Sequence, residues 1–211
     1  APGATQAPAG RQARQVEQRF SQRLVLTSGE PGAAGAVLKG PLRITAPGGL
    51  RWEGGVFQGP FRLASNAYGG WSLIEEVPLE RYLLGVVPHE IGAGSPPAAL
   101  AAQAVLARTW SLRNMHRYAT DGYHLCADTQ CQVYADPRQS GAAVRAAIQA
   151  TRGQVLTWQG APIHAVYHAT NGGMAAGFEE VWSGSPLPYL KAAPDGPPAF
   201  SARFAVPLAA A

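Results

Sequence analysis

The chain has 211 residues, 46% of them apolar and only 14% charged, with 17 Lys and Arg against 13 Asp and Glu for a formal charge of +4. The apolar share excludes a disordered chain, the lack of any apolar run of about 18 residues excludes a transmembrane helix, and no repeat of roughly 20–50 residues marks a solenoid. The basic excess lies in residues 1–50, where Arg11, Arg14, Arg19, Arg23, Lys39 and Arg43 outnumber Glu17 and Glu30, so the neutral remainder argues against a nucleic-acid-binding face.

The sequence opens on Ala1 with no apolar core of a secretion signal, and reads as a processed chain. Residues 1–10 are small and Pro-rich, and the Arg/Gln-rich stretch 11–23 predicts a short helix, together a flexible lead-in. From 24 to 77, apolar runs at 23–27, 42–45, 55–58, 61–63 and 71–74 alternate with Pro-Gly and Gly-Gly punctuation, which predicts a β-meander. Helical spacing of Leu79, Tyr82, Leu83 and Val86 predicts a helix over 78–86, broken by the Gly/Pro-bracketed stretch 87–94. Ser95 offers an N-cap, and Pro96 and Pro97 a first turn, for a buried, Ala-rich helix from Ala98 to about Tyr118. A cysteine-bearing loop follows, then a helix over 144–151 ended by Gly153, and two strands at 154–158 and 163–168 joined at Gly160. The Ala/Pro-rich tail 192–211 predicts no element. The fold class is α+β: a β-rich domain with a helical insertion carrying one long central helix.

Three clusters carry candidate chemistry. Glu90 stands apart from the other carboxylates, between two helices and beside Val86, Val87 and Ile91. Apolar company raises a carboxyl's pKa, as a general acid requires; the alternative is a Glu that caps a helix N-terminus. His89-Glu90 begins like a zincin motif but lacks the second His, and neither a Gly-x-Ser-x-Gly elbow nor a phosphate-binding loop is present. The second cluster, 167–173, ends a strand in Gly172-Gly173, where backbone can approach a ligand, and offers His168, Thr170 and Asn171 as neutral hydrogen-bonding groups. Trp158, Trp182 and Tyr189 provide faces for sugar rings, or core. The third cluster holds Cys126 and Cys131: a disulfide, two thiols, or part of a zinc site with His116 or His124. The spacing fits no strict zinc signature, and no other cofactor is expected.

Taken in order, these blocks resemble the stage II sporulation protein D family, also called the amidase enhancer LytB family. The resemblance rests on 77–90, 97–110, Cys131-Gln-Val-Tyr134, Thr151-Arg-Gly-Gln-Val-Leu156, His168-Ala-Thr-Asn-Gly-Gly173 and 181–190, and spans roughly 36–191. A domain is therefore expected over 24–191. The resemblance implies an extracytoplasmic lytic transglycosylase that cleaves denuded peptidoglycan strands between N-acetylmuramic acid and N-acetylglucosamine. It puts the family's catalytic Glu on Glu90, as acid and then base. Arg108, Gln132, Tyr134, His168, Thr170, Asn171 and the Gly172-Gly173 backbone are then expected to line the glycan groove. The family's C-terminal Gly-rich block, with its Ser-Gln-Tyr-Gly-Ala-like motif, has no counterpart in 192–211, and Gln130 stands before Cys131 where some members carry a zinc-binding His. The rival expectation is a glycan-holding enhancer of a separate cell-wall amidase.

Overall fold

The computed structural model describes residues 40–195 apart from Gly54 and Thr170, and upstream of these the backbone of three strands. These strands, β1 (Val16–Glu17), β2 (Arg23–Leu26) and β3 (Ala36–Lys39), form an antiparallel sheet in which Val16 pairs with Leu26 and Leu24 with Leu38. A strand at 16–17 replaces part of the helix expected over 11–23; the rest of that segment, except Arg23, lies outside the described residues.

The expected strands are present over 42–75, but they do not pair in simple chain order as a meander would. Strands β4 (Leu42–Ile44), β5 (Leu50–Trp52), β6 (Gly55–Phe57), β7 (Phe61–Ser65) and β8 (Trp71–Glu75) form a β4-β7-β8 sheet and a β5-β6 hairpin. Along β7 the two-residue period puts Phe61 and Leu63 in the interior and leaves Arg62 between them half-exposed.

Helix α1 (Leu79–Val87) enters the core through Tyr82, Leu83, Val86 and Val87, the stripe legible in the sequence. It packs with Leu100, Ala104 and Ala107 of α2 (Pro97–Asn114) and with Val144, Ala147 and Ile148 of α3 (Ala142–Ala150). Leu83, Val86 and Leu100 are fully buried, and each such side chain contributes about 1.5–3 kcal/mol by transfer from water. The run of alanines favours helix by propensity, and small side chains let neighbouring helices approach. Helix α2 is central, as expected, but it also buries polar side chains. Thr109 and Ser111 return hydroxyl bonds to the Val105 and Ala107 carbonyls, at 2.7 and 2.8 Å.

Two helix boundaries differ from the sequence reading. Ser95 does not cap α2: its hydroxyl donates to the Ile91 carbonyl at 2.8 Å, and Pro96 takes the cap position. The helix stops at Asn114, not near Tyr118, where the Asn114 carboxamide donates to the Trp110 carbonyl at 2.8 Å and a turn follows. The strands expected at 154–158 and 163–168 shrink to a two-residue pair, β9 (Thr157–Trp158) with β10 (Ala161–Pro162); beyond it the Ile163 N–H still bonds the Leu156 carbonyl at 3.1 Å, but the Leu156 N–H goes to the Thr109 hydroxyl at 3.0 Å instead of returning to the partner strand.

The chain divides into two compact units, Ala1–Val166 and Tyr167–Ala211. Within the second, β11 (Met174–Ala175) pairs with β12 (Ala193–Pro194), and between them lies α4 (Phe178–Val181), whose Phe178 ring stacks on Trp182. The fold is α+β with several small sheets and a central helix.

Candidate functional site

Glu90 lies in a single π turn, Pro88–Gly92, that continues α1. Pro88 has no N–H to give the ladder and its ring crowds the carbonyl one turn back, so the helix widens there; such turns recur at functional sites. Gly92, at φ +88°, supplies the left-handed residue that ends the turn. The Ser95 hydroxyl bond to Ile91 then folds the exit back on itself. The turn leaves Glu90 half-buried and His89 exposed. Glu90 Oε1 accepts the Val133 backbone N–H at 2.7 Å, and among the described residues it takes part in no ion pair.

Val133 belongs to the segment 131–135, which is laid along α1. Its backbone follows a two-residue period. The N–H groups of Val133 and Ala135 go to Glu90 and to the Gly85 carbonyl (3.1 Å), and the side chains of Gln132 and Tyr134 go inward. Gly85 is what allows this approach: a Cβ there would stand 2.4 Å from the Ala135 carbonyl oxygen and 2.6 Å from the Tyr134 ring. The segment begins at a disulfide, Cys126–Cys131, with Cα atoms 5.6 Å apart. Of the three cysteine chemistries open in the sequence, this is the disulfide. Both sulfurs are thereby withdrawn from the zinc set with His116 and His124, and no cluster of three or more His, Cys, Asp or Glu suited to a metal occurs among the described residues.

Three residues in this unit that were expected to line a groove are engaged with other parts of the protein. Gln132 is fully buried: its Oε1 accepts from the Tyr82 hydroxyl at 3.2 Å and lies 2.8 Å from the Ser111 hydroxyl, which shares its one proton between Oε1 and the Ala107 carbonyl, and its Nε2 donates to the Ala107 carbonyl at 3.4 Å. A carboxamide is stable in that interior because both its ends are bonded, and both are therefore engaged within the protein. Tyr134 stacks on Tyr82 with ring centroids 5.1 Å apart and donates its hydroxyl to Glu75 at 2.7 Å. Burial and the Glu75 carboxylate push its phenol far above the usual range. Arg108 is 1% exposed and forms a bidentate pair with Glu80, both bonds 2.8 Å, while its Nη1 donates to the Gln154 carbonyl at 3.0 Å. The Arg108 hydrogen bonds hold the Glu80 carboxyl below its ordinary value against the opposing effect of burial. Arg108, Gln132 and Tyr134 thus support the helices and the loop rather than project into solvent.

Sequence reasoning passed over the partners of these groups. Glu80 reads as an ordinary first-turn acid, and nothing local ties it to a residue 28 positions on. Asp136 is also buried: it accepts the Val56 N–H at 3.0 Å and the Arg138 guanidinium at 2.7 Å, and joins the β5-β6 hairpin to the end of the segment. Glu75 accepts the N–H groups of Gln58 and Gly59 at 3.1 and 3.0 Å besides the Tyr134 hydroxyl, so it sets the entry to β7.

The remaining candidates belong to the second unit. His168 is exposed, and Thr170 lies outside the described residues. Gly172 and Gly173 take φ of +69° and +95°, the turn that the paired glycines implied. Asn171 builds that turn. Its Oδ1 accepts the Gly173 N–H at 2.9 Å, and its Nδ2 donates to Asp195 at 2.9 Å, where a projecting ligand group was expected.

Comparison with known proteins places this geometry. Residues 67–158 match the family model described as "Stage II sporulation protein" (SpoIID). Stage II sporulation protein D of Bacillus amyloliquefaciens is 35% identical over 133 residues, 56% of this chain and 38% of that protein. Its counterpart in Bacillus subtilis (strain 168) is 37% identical over 134 residues, with the same coverage. The amidase enhancer of Bacillus subtilis (strain 168) is 38% identical over 113 residues, 54% of this chain and 15% of that protein. The chain spans well under half the length of these relatives. No helix among the described residues is long and apolar enough to cross a membrane. The resemblance read in the sequence is borne out over residues 67–158, which hold Glu90, Val133 and the Glu80–Arg108 pair and match the SpoIID family model.

Proposed function

We propose that the protein is an extracytoplasmic lytic transglycosylase that acts on the glycan strands of peptidoglycan, with Glu90 as its acid and base. The observation that carries this reading is the setting of Glu90. Its carboxyl is half-buried in a π turn, fixed through Oε1 by the Val133 amide, and free of ion pairs among the described residues. In the protonated acid, Oε1 is the carbonyl oxygen that accepts the Val133 N–H, and Oε2 carries the proton. Oε2 donates that proton to the glycosidic oxygen as the C1–O bond breaks and an oxocarbenium-like centre develops. The Val133 N–H then bonds a full carboxylate, a stronger interaction than with the neutral acid. The carboxylate takes the proton from the sugar's own C6 hydroxyl, whose oxygen closes on C1 to give the 1,6-anhydro product. An intramolecular nucleophile needs no second carboxylate to activate water, which suits a site with one good acid.

The test is incubation with denuded glycan and mass spectrometry of the products. Wild-type protein is expected to yield 1,6-anhydro ends, and Glu90→Gln to slow their release by about 10²–10⁴-fold, the usual worth of a positioned acid/base. Unchanged release by the variant, or no cleavage by wild type, overturns the reading. A second reading is favoured by the relative named an amidase enhancer: a glycan-holding protein that stimulates a separate amidase. On that reading wild type and Glu90→Gln sediment equally with isolated cell-wall sacculi and stimulate an added cell-wall amidase to the same extent.

A further inference from the structure

We propose that Gln132 is a positioning residue for Glu90, acting through the backbone of Val133, and that the Cys126–Cys131 disulfide is the second clamp on the same segment. The inference rests on the reading of Glu90 as the acid, and it concerns what holds that acid in register.

Glu90 takes its hydrogen bond from a loop, not from its own helix, so its orientation is only as fixed as that loop. An extended segment that slips by one residue presents the opposite edge of its backbone. Something must therefore fix which amide faces the carboxyl, and the residue immediately before Val133 does so. Gln132 reaches into the core and bonds Tyr82 on α1 and both Ala107 and Ser111 on α2. Those are the two helices that flank the π turn: α1 runs into it at Pro88, and α2 begins just beyond it at Pro97. One side chain thus ties the donor segment to both supports of the acceptor. A slip in either direction would pull a buried carboxamide off three partners, which is costly. Upstream, the disulfide closes the turn 126–131, and within it the Cys131 N–H bonds the Asp128 carbonyl at 3.0 Å. Downstream, the Ala135 bond to Gly85 is the next rung. Val133 is therefore held by a covalent link two residues before it, a buried pin one residue before it and the Ala135 rung two residues after it.

This separates two roles that the motif Cys131-Gln-Val-Tyr134 merges. Gln132 contributes no atom to the substrate; it sets the distance from the Val133 N–H to Glu90. The experiment follows the Val133 amide by two-dimensional NMR. In wild type its chemical shift should move with the titration of Glu90, and the movement should vanish in Glu90→Gln. In Gln132→Met, which keeps the volume and removes the hydrogen bonds, the movement should fall by at least about half, and the amide should exchange with solvent about tenfold faster. Reduction of wild type with dithiothreitol should produce the same change to a smaller degree. If Gln132→Met does not fold, Ser111→Ala removes one donor to the same oxygen and should give a smaller loss in the same direction. With denuded glycan, Gln132→Met should lower kcat by about 10–100-fold and leave KM within about twofold, as expected of a misplaced rather than missing acid. A folded Gln132→Met or Ser111→Ala with an unaltered Val133 titration and exchange rate overturns the proposal, as does a change in KM alone. Absence of 1,6-anhydro products from wild type overturns the functional reading instead and leaves the NMR outcome to decide the positioning.

Discussion

Removing Glu80 should destabilise the protein more than removing any exposed acid, because of what it leaves behind. Arg108 is 1% exposed, and its guanidinium makes two 2.8 Å bonds to the carboxylate. In Glu80→Leu the charge stays in the interior with, among the described residues, only the Gln154 and Ala104 carbonyls as partners. Breaking a buried pair from one side costs about 3–5 kcal/mol. Glu80 is itself 22% exposed, so water reaches the vacated site and the lower end, about 3 kcal/mol, applies. With a urea slope of about 2 kcal/mol per M, the unfolding midpoint should drop by about 1.5 M. The double variant Glu80→Leu/Arg108→Met, which removes the stranded charge and keeps apolar volume, should recover at least about half of that loss. The loss should also depend on pH. The Glu80 carboxyl is held below its ordinary value, so the pair's stabilisation is present above about pH 4.5 and fades as the pH falls through the lowered folded value. Urea titrations of the three proteins at pH 7 and in acid measure this. A Glu80→Leu midpoint within about 0.3 M of wild type at pH 7, or a double variant less stable than the single, refutes the reasoning.

Asp136 should give a second acid dependence at lower pH. Its carboxyl is held at about 2, against an ordinary value of 3.8, first by the Arg138 hydrogen bonds and then by the Val56 and Arg138 amides. Its contribution, about 2 kcal/mol, is complete above pH 3.8 and lost as the pH falls through about 2; the gap between wild type and Asp136→Asn in urea should close over that range. Gly85→Ala should be poorly tolerated because the new Cβ would meet the Ala135 carbonyl, a backbone atom, at 2.4 Å. A loss of about 1–3 kcal/mol is expected, together with faster exchange of the Val133 amide, and a stable Gly85→Ala with a protected Val133 amide would contradict the packing described.

Local patterning made much of the fold legible. The apolar run at 61–63 between Gly and Pro punctuation marked β7, the spacing of Leu79, Tyr82, Leu83 and Val86 marked α1, and the Ala-rich run marked α2. Legibility failed where a residue's environment is made by distant chain. Arg108 lies on the most regular helix, yet its partner Glu80 is 28 residues upstream, so nothing beside it corrected the groove position that the resemblance implied. Gln132 was placed in the groove by the resemblance too, and nothing beside it announces that Tyr82 and Ser111 converge on its carboxamide. Glu90 was legible because proline and glycine bracket it in the sequence itself. Its contact with Val133, 43 residues on, was not. The end of α2 was misplaced because the apolar spacing continues to Met115, whereas the Asn114 side chain bonds back to the last turn and stops the helix.

The central proposal is that Glu90, having given its proton to the glycosidic oxygen, recovers one from the sugar's own C6 hydroxyl, with no water entering the bond that breaks. Cleavage of denuded glycan in water enriched in heavy oxygen tests it most directly. The account predicts products one water lighter than hydrolytic fragments, carrying no heavy oxygen at the new end, and strongly reduced in Glu90→Gln. Reducing ends labelled with heavy oxygen would contradict it and make the enzyme a hydrolase.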